Sequence, residues 1–129
     1  MGQSRSETSC LFCNIITGDV DANIIFRNKD VIAFTDINPQ APVHILIIPK
    51  KEIKTLNHLK PEDQEIAGKM VLLAKDLAKE HHIDETGYRT IFNCNDDGGQ
   101  TVFHIHLHFQ ATGATTRRDR HWKQPLAEK

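Results

Sequence analysis

Histidine alternates with large apolar residues through Phe103-His104-Ile105-His106-Leu107-His108-Phe109. Imidazole, with an ordinary pKa of about 6.5, can serve near pH 7 as a neutral nucleophile or as a proton donor. A period of two is that of a β-strand, whose successive side chains point to opposite faces. The pattern therefore predicts Val102, His104, His106 and His108 on one face. Thr101, Phe103, Ile105, Leu107 and Phe109 are expected on the other, facing a core. Same-face neighbours on a strand lie about 6.6 Å apart, at a rise of ~3.3 Å per residue. Three imidazoles at that spacing can surround one small group such as a phosphate. Just upstream, Asp97-Gly98-Gly99-Gln100-Thr101 offers two glycines for close backbone approach and N–H groups that can cradle an anion. Histidines two apart on a strand can instead share a zinc ion, so the spacing leaves a metal site open as well.

Cys10-x-x-Cys13 is the other metal-type spacing. In this polar N-terminal setting it reads as half a zinc site, against two small residues packing at the start of the fold. A thioredoxin-like redox motif would need a βαβ context, which is missing. His44 interrupts the apolar run Val43 to Ile48. By itself, a histidine inside a core strand is most often a hydrogen-bonded structural residue. Asp36 opens Asp36-Ile37-Asn38-Pro39, which is good turn chemistry in its own right.

The elements that must position these residues are legible from periodicity and punctuation. Leu11 to Thr17 is a short helix ended by Gly18. Asn23 to Arg27 and Val31 to Thr35 are strands joined by the turn Asn28-Lys29-Asp30. Val43 to Ile48 is a central, buried strand ended by Pro49, which cannot donate to a ladder. Lys60-Pro61-Glu62-Asp63 starts a helix, with Pro at the first position and acids at the positive end of the dipole. Ile66, Met70, Leu73 and Leu77 form its core-facing stripe, and His81 and His82 lie on the surface near its end. Gly87 to Asn95 is a further strand leading into the histidines. Five strands, one long helix and one short helix, joined by short turns, give an α+β fold whose sheet is mainly antiparallel.

Length and charge narrow the field. At 129 residues the chain is one domain, expected as a flexible polar start over 1–9 and a single domain with a C-terminal tail over 10–129. Sixteen basic against 17 acidic residues leave a net charge of -1, so no large positive field attracts nucleic acid. Three cysteines, an odd number, do not make a disulfide framework and suggest a reducing, cytoplasmic compartment. No apolar run approaches the ~18 residues of a membrane span. Met1-Gly2-Gln3-Ser4-Arg5-Ser6 fits the short pattern for myristoylation of Gly2 in a eukaryotic host, but one such chain gives no stable membrane association.

His104-Ile105-His106-Leu107-His108-Phe109 resembles the signature of the histidine-triad superfamily, His-φ-His-φ-His-φ-φ with φ apolar; the final φ is Gln110 here. Cys10-Leu11-Phe12-Cys13, Asp36 through His44, Ile48-Pro49-Lys50-Lys51 and Asp97 through Phe103 resemble further family blocks, in the family's order. The resemblance is to the branch called histidine-triad nucleotide-binding proteins and covers nearly all of residues 10–110. It implies the HIT-like fold, a five-stranded antiparallel sheet paired in a homodimer into a ten-stranded one.

It also implies roles. Phe34 and Ile37 hold a purine base, Asp36 accepts hydrogen bonds from the ribose hydroxyls, and Asn93 reaches the sugar or phosphate side. A carboxylate suits a cis-diol because it offers two acceptor oxygens. His44 joins the triad as a fourth, relaying histidine, and Trp122, in His121-Trp122, reaches the partner subunit's site. Zinc-bearing relatives use Cys-x-x-Cys, a His after Pro-Lys-Lys and the first His of the strand; here Glu52 follows Lys51, so a structural zinc would use Cys10, Cys13, His104 and Glu52. The central His106 is placed to attack an α-phosphorus, with its other nitrogen oriented by the carbonyl of His104, and His108 is the candidate acid for a departing amine. Gln100, Thr101 and the Gly99 N–H are expected on the phosphate oxygens. No acidic cluster suggests Mg²⁺, so catalysis is expected to require no cofactor. The expected activity is hydrolysis of purine nucleoside 5′-phosphoramidates through a nucleotidyl-histidine intermediate. Dinucleoside polyphosphate hydrolysis and a non-catalytic nucleotide-binding or adaptor role are the alternatives.

Overall fold

The chain folds around one antiparallel sheet, seen in a computed structural model that describes residues 10–112. Helix α1, Leu11–Thr17, starts at Cys10, whose sulfur accepts the Cys13 N–H at 3.2 Å. It stops at Gly18, which sits at φ 92° where a side chain would be strained, and which returns its N–H to Ile15. Strands β1 (Ile24–Arg27) and β2 (Val31–Thr35) are joined by the expected turn. There the Asn28 side-chain oxygen accepts the N–H groups of Asp30 and Val31 at 2.8 and 2.9 Å. Strand β3 is Val43–Pro49. A short 3₁₀ turn, Pro61–Asp63, runs into helix α2, Gln64–Glu80, and Asp63 accepts the Lys60 N–H at 2.9 Å. Strands β4 (Arg89–Phe92) and β5 (Leu107–Ala111) complete the sheet, in the order β1-β2-β3-β5-β4.

Both faces of the sheet are covered, which explains the unbroken apolar character of β3. Val31, Ala33, Ile45, Ile47, Leu107 and Phe109 pack under Met70, Leu73, Ala74 and Leu77 of α2. Ile32, Phe34, Leu46 and Ile48 point the other way and pack with Cys10, Phe12 and Ile15 of the α1 region. On that second face β3 and β5 also carry His44, His108 and Gln110. Among the described residues no helix is long and apolar enough to cross a membrane.

The histidine segment departs from a full strand. Pairing begins at Leu107, opposite Ile47 on β3 and Phe92 on β4. Upstream of it the ladder to both neighbours stops: β3 runs only two residues further, to Pro49, and β4 gives way to a loop in which Asn95 takes φ 62°. His104 is tied instead through its ring to the carbonyl of Pro49 at the end of β3, and Ile105 N–H donates to Ile53 O, beyond β3, at 2.6 Å. The expected core face is therefore only half realised. Ile105, Leu107 and Phe109 are buried, whereas Phe103 is exposed and lines an open cavity of about 540 Å³ with Cys94, Asn95, Asp96 and Asp97. The strand expected over 87–95 is likewise shortened, between Gly87 at φ 115° and the loop at Asn95.

Candidate active site and metal centre

Hydrogen bonds fix a tautomer for each imidazole. His106 Nδ1 lies 2.8 Å from the carbonyl of His104, an acceptor only, so the neutral ring carries its proton on Nδ1 and a lone pair on Nε2. Phe12 holds that ring edge-on, centroids 5.0 Å apart at 85°. His44 Nδ1 accepts the Gln40 N–H at 2.9 Å, so the neutral His44 proton is on Nε2. That nitrogen is 2.9 Å from His108 Nδ1 and donates to it, which places the proton of a neutral His108 on Nε2. Asn93 Nδ2 lies 3.5 Å from the same His108 nitrogen. The rings of His106 and His108 are 4.9 Å apart, and both residues are buried. A lone-pair nitrogen and an N–H thus belong to two adjacent rings, a combination suited to attack and proton donation.

Asp36 combines the two uses open to it. One oxygen accepts the Asn38 N–H at 2.8 Å, closing the turn, and the other lies 3.4 Å from His44 Nε2. Phe34 and Ile37 differ sharply: Phe34 is buried edge-on to Phe12, while Ile37 is 85% exposed.

In the glycine loop several of the groups expected on a phosphate are hydrogen-bonded within the chain. Gly99 N–H donates to Asp96 O, and Gln100 N–H to Asn95 O, both at 3.0 Å. The Gln100 amide accepts from Asn95 N–H at 2.9 Å and donates to the carbonyls of Lys54 and Val102 at 2.8 and 3.0 Å. These groups brace the loop against the chain beyond β3; Thr101 remains exposed. Tight 3₁₀ closure at Asp96–Gly98 consumes the donors that an extended loop would have offered. Trp122 and Gly2 lie outside the described residues.

Three ligand-type atoms converge on the other side of the triad. His104 Nδ1 lies 3.4 Å from Cys10 Sγ and 3.5 Å from Cys13 Sγ. A tetrahedral zinc with Zn–S of about 2.3 Å and Zn–N of about 2.05 Å would separate sulfur from nitrogen by about 3.5 Å. His104 Nε2 donates to the Pro49 carbonyl at 2.8 Å, leaving Nδ1 as the lone-pair nitrogen, as metal-binding histidines require. Burial pushes the His104 imidazole below its usual range, against the opposing pull of the Pro49 carbonyl and Glu52. The Cys13 thiol is pushed up to about 12 by burial first, then by Cys10 and Glu52. The donor set fits zinc, which would deprotonate such a thiol. Glu52 stands close enough to raise Cys13, but its carboxylate is not part of the three-atom cluster.

Three contributors carried no plain sequence signal for their place here: Phe12 behind His106, the Gln40 backbone on His44, and Arg89, which meets Gln110. Arg89 Nε donates to Gln110 Oε1 at 3.0 Å, and burial lowers the guanidinium pKa. Only Gln110 stood out, as a polar residue at an apolar position of the pattern.

Comparison with known proteins agrees with this geometry. Residues 9–121 match the family described as scavenger mRNA decapping enzyme C-term binding. A purine nucleoside phosphoramidase of Escherichia coli (strain K12) is 44% identical over 98 residues, covering 76% of this chain and 82% of that protein. The crystal structure of a HIT family hydrolase from Legionella pneumophila Philadelphia 1 superposes with a TM-score of 0.79 at 46% identity, covering 84% of this chain and 96% of that one. A histidine triad nucleotide-binding protein from Candida albicans gives a TM-score of 0.72 at 32% identity, covering 78% and 73%. Motif order and fold lead to the same conclusion: the chain belongs to the histidine-triad (HIT) superfamily.

Proposed function

We propose that this chain is a cytoplasmic hydrolase that cleaves purine nucleoside 5′-phosphoramidates in two steps through a nucleotidyl-His106 intermediate. The observation that carries the reading is the bond from His106 Nδ1 to the His104 carbonyl, which leaves the Nε2 lone pair as the nucleophile. Attack of Nε2 on the α-phosphorus forms the P–N bond to His106 as the bond to the leaving amine breaks. The amine leaves with a proton, and His108 Nε2–H is the donor beside it. Water then attacks the phosphorus, giving its proton to His108 Nε2, the nucleoside monophosphate departs and His106 regains its lone pair. Asp36, with one oxygen already engaged in its turn, offers its remaining lone pairs to the ribose diol. Phe34, Ile37, Asn93 and Thr101 are assigned to the rest of the nucleotide, while Gly99 and Gln100 act by shaping the loop. The E. coli phosphoramidase supports this substrate class.

Zinc at Cys10, Cys13 and His104, with Glu52 or water completing the shell, would supply a structural cross-link between the α1 start and the histidine segment. The assembly proposed is a symmetric dimer through β4. The sheet has two edges, and β1 carries a register shift between Ile24 and Phe26 that blunts it. Pairing β4 with its copy would give a ten-stranded sheet.

The test is a turnover panel. Adenosine 5′-phosphoramidate should be hydrolysed with a kcat/KM well above that for a diadenosine polyphosphate. The reverse ratio would assign the chain to dinucleoside polyphosphate cleavage, and binding without turnover of either would make it a non-catalytic nucleotide-binding protein.

A further inference from the structure

Gln110 has no exposed surface, although the triad pattern asks for an apolar side chain at its position. A buried amide is costly unless its polar ends are met. Gln110 lies opposite Arg89 across β4–β5 and opposite His44 across β3–β5, so one row of the sheet links an edge strand to the imidazole relay. Arg89 Nε is 3.0 Å from the amide oxygen, and the amide nitrogen is 3.3 Å from His44 Nε2. A guanidinium only donates, so it fixes the amide with oxygen toward Arg89 and NH₂ toward His44.

Groups of opposite sense therefore face His44. Asp36 Oδ2, at 3.4 Å from Nε2, favours a doubly protonated, charged ring. Gln40 N–H donates to Nδ1 and so opposes a second proton there, and the Gln110 NH₂, which faces the protonated Nε2 without a hydrogen bond to it, opposes that charge through the positive end of its dipole. His108 Nδ1, at 2.9 Å, needs the single Nε2–H as its donor. Arg89, behind the amide, adds a positive charge of its own.

We propose that Gln110, oriented by Arg89, is a positioning residue whose amide dipole disfavours a charged His44 beside Asp36, while the Gln40 N–H at Nδ1 keeps the one remaining proton on Nε2, directed at His108. His108 then keeps its own proton on Nε2, facing the leaving group. This rests on the phosphoramidase reading for its catalytic consequence, but not for its structural one.

The test joins imidazole ¹⁵N shifts of the unliganded protein at pH 7 to steady-state kinetics on adenosine 5′-phosphoramidate. The wild-type His44 should be singly protonated, on Nε2. Gln110→Glu places an acceptor where the donor was, so His44 should become doubly protonated. In that variant kcat should fall roughly 100-fold, the low end of what a positioned acid contributes, with KM within about twofold. Gln110→Leu, which suits the apolar pattern and keeps the fold, should lower kcat less. A doubly protonated His44 in the wild type overturns the proposal, as does a Gln110→Glu His44 that stays singly protonated or a Gln110→Glu kcat that is unchanged. The ¹⁵N result needs no substrate, so it stands or falls separately from the assigned reaction.

Discussion

His104 and His106 are joined by a 2.8 Å hydrogen bond from the ring of one to the backbone of the other. The same His104 turns its own ring toward Cys10 and Cys13. The carbonyl that orients His106 therefore belongs to the residue whose ring faces the two cysteines, so a metal bound there would couple its stability to the aim of His106.

Protein purified without chelator should contain roughly one zinc per chain, as measured by elemental analysis. Chelation should lower the melting temperature. Cys13→Ser should weaken zinc affinity and reduce kcat through His104 while leaving nucleotide affinity nearly intact. Metal-free protein that shows no stability loss in chelator defeats the zinc assignment.

The proposed ribose contact of Asp36 predicts a thermodynamic cycle. Asp36 is a charged acceptor, and a hydrogen bond to a charged group contributes about 1.5–3 kcal/mol, or roughly 10- to 150-fold. Removing both ribose hydroxyls from the substrate should cost wild type about that much in kcat/KM. Asp36→Ala should show little further loss on the dideoxy substrate. Equal penalties in the two proteins would mean that Asp36 serves only its turn and His44.

Stability should depend on acid in a way traceable to one pair. Lys51 Nζ lies 2.6 Å from Asp63, and this bond, helped by the Lys60 N–H, holds the Asp63 carboxyl below the usual carboxylate range. A depressed folded value contributes stability that is complete above the unfolded value of about 3.9 and is lost as pH falls through the folded one. Asp63→Asn should melt lower than wild type at pH 7, with the gap closing below pH ~4. A gap that persists unchanged to pH 2 would show that the ion pair is not its source.

What could be read in advance followed from local chemistry. α1 was marked by Gly18, β2 by its turn at Asn28, and α2 by its stripe from Ile66 to Leu77. Period two placed His104, His106 and His108 together, but it could not show that the ladder to β3 stops at Leu107 and leaves the segment before it outside the sheet pairing. Nor does a Gly-Gly spacing reveal that a 3₁₀ turn takes up the loop's N–H groups. The Arg89–Gln110–His44 row depends on sheet register, which pairs residues 21 and 66 positions apart. The carbonyl of Pro49 and the N–H of Gln40 have no sequence identity at all, since every residue but proline carries both groups.

Dimerisation should be visible in solution. A chain of 14.7 kDa should run at twice that mass at micromolar concentration. A Pro in β4, as in Thr90→Pro, should give monomer by disrupting the edge strand. A monomeric wild type contradicts the β4 assembly, and unchanged substrate preference in Trp122→Ala contradicts a role for that side chain across the interface.

The most direct test of the account is the kcat of His106→Ala on adenosine 5′-phosphoramidate. Without a nucleophile the first transfer has no route, so kcat should fall by at least about 10³-fold while nucleotide affinity changes little, because the proposed Asp36 contact to the ribose would remain. Hydrolysis by His106→Ala at a near-normal rate would contradict the nucleotidyl-His106 mechanism.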